Sequence, residues 1–529
     1  MTASSPHRDT TAGRPAYTDA RLTGLLVLMC LALTLVLAAN ASLTVALPEI
    51  ARTTGATQTQ LTWVINGYAL LFAALLLPAG LAADRFGRRP ALALGLGVFG
   101  VASLVSAYVD SPGWLIALRV VAGIGATLVM PATLSVLTDA YPPERRAAAV
   151  AVWAGVSGAG VLLGMLAGGV LLEWFWWGSV QLVFGLAAVV LALVCLAAVP
   201  SYRNPRLHLD PLGALCAVVA LGALTYGIIE APELGWTDSR TVTGLVVGVL
   251  GIAAFVLVEL RGRDPLLDVR LFRYRGLSVG SAMIVLQFVA VLGLLIFLPQ
   301  YLQSVRGNTP LGAAVMIMPL AVGIMPASQL APALVARLGD RVVVSIGMAV
   351  TGIGYAYLAT LSQDGPYWLI AVGLIASGAG FGLATAPATA LILNGLPDDR
   401  RTLASAVNDT AREVGGAIGI AVFATVLSTV YRNAAEDFTR GVPGEAATVA
   451  TDGVNGAVAV ADRLGPAGPA LADAARAGFY DGYQAALVVG AGVLLLGAAL
   501  CAAFAPRRTA GSAVPVGTHP AAVAGGTRA

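Results

Sequence analysis

Residues 80–89 read Gly80-Leu81-Ala82-Ala83-Asp84-Arg85-Phe86-Gly87-Arg88-Arg89, a charged stretch between two long apolar runs. Only 11% of the residues in the chain are charged, so four charged side chains within this stretch form an unusual concentration. Charged side chains at the centre of a bilayer are costly, which places the stretch at a membrane surface. Its two glycines allow a tight turn, so we predict a short loop between two membrane-spanning helices.

The composition of the whole chain indicates an integral membrane protein. Of its 529 residues, 58% are hydrophobic, and the mean hydropathy is +0.83, whereas soluble domains are about 45–50% apolar. The net charge of +3 gives no support to nucleic-acid binding. The four cysteines lie in apolar segments without a CxxC pair or a Cys/His set, so we expect neither a metal site nor a cofactor.

Apolar runs of about 18–25 residues predict about fourteen transmembrane helices, whereas a β-barrel shows alternation in strands of about ten residues. An even number of spans places both termini on one side. Arginine is concentrated in the loops of that side, which predicts cytoplasmic termini and a multi-pass protein of the cytoplasmic membrane. The runs are 22–47, 61–82, 91–109, 113–137, 147–172, 177–199, 211–230, 240–260, 277–302, 310–336, 342–361, 367–394, 403–430 and 482–505.

An internal repeat divides the chain. Residues 333–341 repeat the small-residue run followed by Arg-x-Gly-x-Arg of the charged turn, and parallel repeats are typical of rocking transporters. Arginine-rich cytoplasmic turns also resemble one another without duplication, which leaves that alternative open. We predict cytoplasmic tails at 1–21 and 506–529, six-helix halves at 22–199 and 277–505, and two inserted helices with a cytoplasmic linker at 200–276.

Two connecting segments have distinctive compositions. Residues 261–276 are amphipathic, which predicts a linker lying on the lipid surface. Residues 431–480 form one long outer loop rich in alanine and glycine, where we expect short, mobile helices without a core. Glu49, Glu230 and Glu259 lie near helix ends, where a solvated carboxylate costs little, and are interpreted as markers of topology.

The charged turn, together with fourteen spans, resembles the signature loop of the major facilitator superfamily. The strings SLTVALP (42–48) and WVINGYAL (63–70) resemble its fourteen-span drug:proton antiporter family, closest to the quaternary-ammonium and antiseptic efflux pumps. The resemblance implies an all-α membrane fold of two six-helix halves plus two inserted central helices. Span 5 resembles the antiporter glycine motif, although helix packing alone can produce this spacing; the glycines are Gly158, Gly160, Gly164, Gly168 and Gly169.

The resemblance also implies a proton-coupling role for Arg119 in span 4. Members of the family commonly carry aspartates where this chain has Ala39 and Asn66, so other acids must carry a proton. Span 13 offers Asp409 and Glu413, which lie four residues apart on one helical face and flank Arg412. Burial favours the protonated form of a carboxylate and a nearby arginine opposes it, which predicts a proton site. A static ion-pair network is the alternative.

The charged turn is predicted to be a conformational gate formed by Gly80, Asp84, Arg85, Gly87, Arg88 and Arg89. In the family fold the inner end of span 2 faces the start of span 13. Asp84 is therefore expected at the positive end of the span 13 helix near residues 402–404, a contact worth about 0.3–2 kcal/mol. The arginines are expected to pair with Asp139 or Glu144 and to hold the inner gate shut.

The predicted function is proton-coupled efflux of amphipathic drugs or antiseptics by alternating access. The expected partners are a small amphipathic organic substrate, protons and the lipid bilayer, with no nucleic acid, for a protein that works as a monomer. The missing aspartates favour neutral or monovalent compounds. The alternatives are export of an endogenous antibiotic or other secondary metabolite and a non-transporting membrane sensor, whereas an enzyme is not expected because no catalytic motif is found. The predicted substrate-lining residues are Asn40, Asn66, Met165 and Phe381.

Overall fold

The computed structural model describes residues 18–200, 210–262, 267, 269–394, 401–440, 442–464 and 468–506. Within these ranges the chain is all-helical, as predicted, with seventeen α-helices. Thirteen helical segments are long and apolar enough to cross a membrane. One further helix of 32 residues, with an apolar part at Gly160–Trp174, makes fourteen long segments.

The first six long helices follow one another through short turns. They are α1 (Asp19–Thr54), α2 (Gln58–Phe86), α3 (Arg88–Ser106), α4 (Pro112–Ala140), α5 (Pro143–Trp174) and α6 (Gly178–Ala198). A capping box sets the start of α2, because Gln60 N donates to Thr57 Oγ1 at 3.2 Å and Thr57 N donates to Gln60 Oε1 at 3.0 Å. Two further long helices come next, α7 (Pro211–Leu234) and α8 (Ser239–Arg261), and then a 3₁₀ turn at Val269–Arg273.

The rest of the chain forms nine helices that supply six long segments. They are α9 (Arg275–Gln300), which continues as a π turn (Tyr301–Val305), α10 (Pro310–Ile317), α11 (Pro319–Leu338), α12 (Asp340–Ala359), α13 (Tyr367–Asn394), α14 (Arg401–Phe438), α15 (Gly444–Thr451), α16 (Val454–Ala461) and α17 (Gly468–Phe504). Pro319 has no amide hydrogen to donate, and the helix restarts at this residue, so α10 and α11 together form one segment.

Helix packing repeats between the first and the last six segments. In the first set the most extensive pairs are α1 with α5, α2 with α4, α3 with α4 and α3 with α6. The corresponding pairs in the second set are α9 with α14, α11 with α13, α12 with α13 and α12 with α17. The two sets, called here the N-half and the C-half, therefore share one packing pattern.

The two halves are joined at one end of the bundle. We call the end where α1 begins the tail face and the opposite end, with the α1–α2 turn at Gly55, the far face. The far-face parts of α1, α2 and α5 share one apolar core with the C-half, including Val45, Leu61 and Leu172. The tail-face parts of the N-half form a separate core that includes Leu33 and Val136. The described halves are thus packed together at the far face.

The inserted hairpin of α7 and α8 lies beside the junction of the halves. Helix α7 packs against α2 of the N-half and α14 of the C-half. Thr425 Oγ1 in α14 donates to the carbonyl oxygen of Ile228 at 2.6 Å, and Trp63 Nε1 in α2 donates to Glu230 Oε1 at 2.8 Å. The hairpin therefore contacts both halves on one side of the bundle.

The long loop at 431–480 differs from the expectation of a segment without a core. Short helices are present, as predicted, but Ala450, Val454 and Ala457 are fully buried in the main core. Val460 and Leu471 belong to a further small core cluster. Alanine and glycine lower the hydropathy of this segment but still allow close packing, which is why its core was not predicted.

The linker at 261–276 includes residues outside the described ranges. In the part that is described, Leu271 is buried in the main core, and Phe272 and Tyr274 pack against it. Arg270 Nη2 donates to the carbonyl oxygen of Leu260 at 2.7 Å. Some of the apolar side chains assigned to a lipid surface therefore contact protein.

Candidate functional site: a polar cluster between the halves

A group of polar residues lies where the two apolar cores of the N-half meet. Asn40 lies between Ala39 of one core and Ala41 of the other, and Arg119 lies between Leu115 and Ala122 in the same way. These residues are therefore near the middle of the bundle. An intramembrane charge in such a position is a functional candidate.

Arg119 is almost fully buried and holds three neighbours. Its Nη2 donates to Asn40 Oδ1 of α1, and its Nε donates to the carbonyl oxygen of Val64 in α2 at 3.1 Å. The guanidinium carbon lies 4.5 Å from the ring centroid of Tyr68, a favourable cation–π distance. Its Nη1 has no hydrogen-bond partner, which leaves one donor for another group.

Helix α14, which carries the three charged residues of the predicted proton site, packs against α2 of this cluster. Asp409, Arg412 and Glu413 are each partly exposed. Asn66, two residues before Tyr68 in α2, donates to the carbonyl oxygen of Ala417, one turn beyond Glu413 in α14, which places α14 of the C-half beside the Arg119 cluster of the N-half. Asn408 Nδ2 donates to Asp409 Oδ1 at 3.3 Å.

Arg412 is not locked to either carboxylate. Its guanidinium carbon lies 4.9 Å from the ring centroid of Phe288. Its Nε has no hydrogen-bond partner, and among the described residues no ion pair within 4.0 Å joins it to Asp409 or Glu413. The local arrangement therefore leaves Arg412 free to change its partner.

The predicted lining residues differ in accessibility. Asn40 and Phe381 are partly exposed, and Phe381 lies edge-on to Phe288 at 5.7 Å between ring centroids. Asn66 is fully buried and donates from Nδ2 to the carbonyl oxygen of Ala417 at 3.2 Å, which joins α2 to α14. Met165 is 1% exposed within the main core. Contact of these last two with a substrate stays a prediction for another conformation.

The charged turn forms an ion-pair network on the tail face. Arg88 Nε lies 2.7 Å from Asp84 Oδ1, Arg88 Nη1 pairs with Asp139 of α4, and the same nitrogen donates to the carbonyl oxygen of Ser135 at 2.7 Å. The predicted pair with Asp139 is present and ties α2 and α3 to α4. Arg85 lies over the ring of Phe86, 5.6 Å from its centroid.

Other parts of the predicted gate lie outside what is described. The side chains of residues 402–404 and of Glu144 are outside the described set, so the expected contact of Asp84 with the start of α14 stays a prediction. Gly87 has a φ of 116°, and the matching glycine of the repeat, Gly339, has a φ of 83°. Both turns therefore require glycine. The repeat has Ala336 and Asp340 in place of Asp84 and Arg88, so this ion pair cannot form there.

The glycines of α5 allow close helix contacts. A Cβ atom at Gly164 would collide with the carbonyl oxygen of Ala38, and one at Gly168 would lie 2.8 Å from Ser42 Cβ in α1. At Gly160 it would be in ordinary contact, 3.5 Å from Thr34 Cα. The surroundings of Gly158 are outside the described part of the chain.

Gly169 serves a different contact. A Cβ atom there would lie 2.9 Å from Leu311 Cα and 3.1 Å from the carbonyl oxygen of Pro310, both in α10 of the C-half. The last glycine of the motif therefore allows the two halves to approach each other near the far face. Gly80 of the charged turn faces Pro131 of α4. A Cβ atom added at Gly80 would lie 3.4 Å from the Cβ atom of Pro131.

Several residues in these networks were not predicted as site residues. Tyr68 completes the surroundings of Arg119, and its hydroxyl group has no hydrogen-bond partner. Three glutamates that were interpreted as markers of helix ends also accept hydrogen bonds. Glu49 accepts from Trp177 N at 3.1 Å, Glu230 accepts from Trp63 Nε1 at 2.8 Å, and Glu259 accepts from Leu267 N at 3.0 Å. Their partners lie in other elements, so spacing along the chain does not reveal them. Trp63 and Tyr68 both belong to the string WVINGYAL (63–70), which is the signal that the sequence offers for them.

Comparison with known proteins agrees with this architecture. Residues 29–420 match the family described as Major Facilitator Superfamily. A solved structure of a bacterial homolog to the human lysosomal transporter Spinster superposes with a TM-score of 0.62 at 20% identity, covering 91% of this chain and 98% of that one. The fold is thus that of a membrane transporter.

The chain belongs to the major facilitator superfamily. It is 34% identical to the methyl viologen resistance protein SmvA of Salmonella typhimurium, over 85% of this chain and 92% of that protein. It is 30% identical to the multidrug efflux pump LfrA of Mycolicibacterium smegmatis, over 94% and 99%. It is also 30% identical to the tetracenomycin C resistance and export protein of Streptomyces glaucescens, over 86% of each. Its similar proteins are thus multidrug and antibiotic resistance proteins of this superfamily.

Proposed function

We propose that this protein exports small amphipathic drugs or antiseptics from the cell by alternating access, driven by the proton gradient. The observation that carries the proposal is the central polar cluster, where the buried Arg119 contacts Tyr68 of α2 and α2 packs against the charged helix α14 of the C-half. A charge cluster that spans two rocking halves changes its surroundings when they move. Such a change couples protonation to conformation.

Asp409 and Glu413 are the proposed proton carriers, and Arg412 is the group that changes their affinity for protons. A static ion-pair network is less compatible with the unpaired Nε of Arg412 and its position over Phe288. When Arg412 approaches a carboxylate, the ionised form is favoured and the proton leaves; when it withdraws, burial favours the protonated form. Arg119 is proposed to hold Asn40 and Tyr68 in place while the proton is bound and released.

The proposed substrates are neutral or monovalent. Asn40 and Asn66 can form hydrogen bonds but cannot neutralise a cation. Asn40 is already in contact with the Arg119 cation, which opposes a dication at this point. The name of LfrA, a multidrug efflux pump, supports a small organic substrate. SmvA is named for resistance to methyl viologen, a dication, so divalent compounds test the proposed charge preference directly.

The proposed location is the cytoplasmic membrane, with the tail face in the cytoplasm. The protein is proposed to act as a monomer and to be a transporter rather than an enzyme. The shared core at the far face then corresponds to a state closed to the outside. The turn at Asp84 and Arg88 is proposed to regulate the cytoplasmic opening. The domain boundaries are proposed as predicted from the sequence. Substrate would enter from the cytoplasm or the inner leaflet and leave on the other side.

Transport in proteoliposomes with an imposed pH gradient tests the proposal across a panel of neutral, monovalent and divalent compounds. Asp409→Asn is expected to abolish efflux driven by the gradient but to retain substrate exchange without it, because only net transport requires proton release. Glu413→Gln is expected to have the same effect. The measurement is the initial rate of transport with and without the gradient.

A control on the same helix is Asp437→Asn, because Asp437 is exposed and its one ion pair among the described residues is with the exposed Arg440 at 2.7 Å. This variant is expected to transport like the unaltered protein. Gradient-driven efflux at the normal rate in Asp409→Asn contradicts the assignment of the proton site. Binding of compounds without any flux would instead favour a non-transporting sensor.

A second candidate is export of an antibiotic or other secondary metabolite made by the cell itself. The observation that favours it is the similarity to the tetracenomycin C resistance and export protein over 86% of each chain. Including tetracenomycin C and antibiotics of other classes in the same panel separates the two candidates. Transport restricted to one such class favours the second candidate, whereas broad transport of unrelated compounds favours the first.

A further inference from the structure

Helices α15 and α16 form a strap across the far face, defined here as residues 444–461. The strap belongs to the C-half but reaches α2 of the N-half, where Gln58 N donates to the carbonyl oxygen of Asp452 at 3.1 Å. On its other side Ser304 Oγ donates to Asn455 Oδ1 at 2.9 Å. The strap therefore bridges the two halves where they are closed.

A pocket of about 500 Å³ lies between the strap and the α1–α2 turn. This volume falls in the range of about 300–1,000 Å³ that is typical of small-molecule sites. The pocket is distant from the central cluster along the bundle axis, since it surrounds the far-face end of α1. Its apolar wall comes from both sides and includes Leu61 of α2 and Val449, Val460 and Leu464 in and after the strap.

Two arginines in the pocket lining are available to a ligand. Arg52 of α1 and Arg463, just after the strap, both line it and are exposed, and the described residues contain no ion pair for either. Asp452 also lines the pocket, but its carboxylate is already 3.4 Å from Arg432 Nη2. Arg432 Nη2 is shared with Glu233 Oε2 at 3.7 Å, and Glu445 is the second acid of the lining.

One buried donor in the wall lacks a partner. Gln58 is 7% exposed and lines the pocket, and its Nε2 has no hydrogen-bond partner. A buried donor without an acceptor is unfavourable, so an acceptor oxygen supplied by a ligand would be favoured. The two arginines and this amide are all hydrogen-bond donors that match a carboxylate or a sulfonate.

We propose that this pocket is a second binding site, which takes an amphipathic organic anion with a carboxylate or sulfonate head and a small apolar body. The head lies between Arg52 and Arg463 near Gln58, and the apolar body packs on Leu61 and Val460. The site goes beyond the proposed export function, because it lies outside the central cluster and its occupancy needs no transport.

Occupancy of the site would affect conformation. The wall of the pocket is shared between the α1–α2 turn of the N-half and the strap of the C-half. A ligand that contacts both binds the closed far face better than an open one, and therefore shifts the population towards the closed state. An anion outside the cell would thus slow the opening of the far face.

The test measures binding to the full-length protein in nanodiscs by equilibrium dialysis, with protein-free nanodiscs to subtract partition into lipid. The probes are 1-naphthaleneacetate, 1-naphthaleneethanol and 1-naphthylmethylammonium, which share one ring system and differ in the head group. We expect the anion to bind about tenfold more tightly than the alcohol, as one charge-assisted hydrogen bond implies. The ammonium is expected to bind most weakly.

Arg52→Gln and Arg463→Gln are each expected to weaken binding of the anion about tenfold and to leave binding of the alcohol unchanged. Arg52→Lys keeps the charge and is expected to lose less. Glu445→Gln removes the opposing charge and is expected to strengthen binding of the anion. The matched control is Arg476→Gln, because Arg476 pairs with Asp473 at 3.0 Å and does not line the pocket.

Equal binding of the anion by the unaltered protein and both arginine variants overturns the proposal, as does preferential binding of the ammonium. A melting temperature equal to that of the unaltered protein verifies that each variant is folded, and Arg52→Lys gives the same comparison with the charge retained. Because dialysis detects binding alone, failure of this site and failure of the export function are separate results.

Discussion

At the scale of single residues, arginines in this chain have different roles according to their neighbours. Arg88 forms ion pairs with Asp84 and Asp139, so its charge is neutralised locally. Arg119 has no carboxylate within ion-pair distance among the described residues and is held by an amide, a carbonyl oxygen and a ring. The first arrangement stabilises a turn, whereas the second leaves a buried positive charge without a carboxylate partner among the described residues, as the proposed coupling to α14 requires.

Arg88→Leu is expected to destabilise the protein by about 1–2 kcal/mol, because it leaves two partly buried carboxylates near each other without their shared partner. The measurement is thermal unfolding of the purified protein in detergent. Arg89→Leu is the matched control, since the described residues show no ion pair for Arg89. Equal melting temperatures of the two variants would show that the network does not contribute to stability.

At the scale of helices, the glycine motif of α5 contacts different partners along its length. Gly164 and Gly168 allow α1 to lie against α5 within the N-half, while Gly169 faces α10 of the C-half. A single sequence motif thus supports both the packing of one half and the approach of the other. Small residues permit such close contacts in membranes, where no hydrophobic force brings helices together.

Gly164→Ala is expected to destabilise the protein by about 1–3 kcal/mol, because the new methyl group collides with the backbone at Ala38. Gly160→Ala, one turn earlier on the same face, has room for the methyl group and is expected to be tolerated. The difference in melting temperature between the two variants measures the effect. Similar losses in both would contradict the assigned contacts.

At the scale of the whole molecule, the two halves meet at the far face through small contacts spread over several elements. Gln303 Nε2 donates to the carbonyl oxygen of Val45 at 2.9 Å, and Gly169 lies against Leu311. Asn66 joins the halves further towards the centre through Ala417. Contacts of this kind can separate without disruption of either half, as rocking requires.

Gly169→Val is expected to act as a wedge that shifts the population towards an open far face. The distance between spin labels at Tyr108→Cys and Asp364→Cys, in exposed far-face turns of the two halves, should increase in this variant, after replacement of the native cysteines by serine. Gly97→Val is the control, because a Cβ at Gly97 has open space around it. An unchanged distance distribution in Gly169→Val would exclude Gly169 as part of the closed contact.

Much of the fold was predictable from the chain itself. The apolar runs predicted an all-helical membrane protein, and the charged turn and span-5 glycines led to the major facilitator superfamily, which the match over residues 29–420 confirms. The pair of Arg88 with Asp139 was also predictable, because both residues lie at the ends of neighbouring helices on one face. These features depend on hydropathy and on short local patterns.

Other features were decided only by the tertiary structure. The role of Tyr68 beneath Arg119, the bond between Trp63 and Glu230, and the core beneath the strap all join residues that are distant along the chain. The sequence by itself determined which segments cross the membrane and where charge must lie, because the bilayer acts on each segment separately. Which faces of those helices meet depends on the packing of all of them at once, and only that packing brought α14 against α2 and enclosed the pocket under the strap.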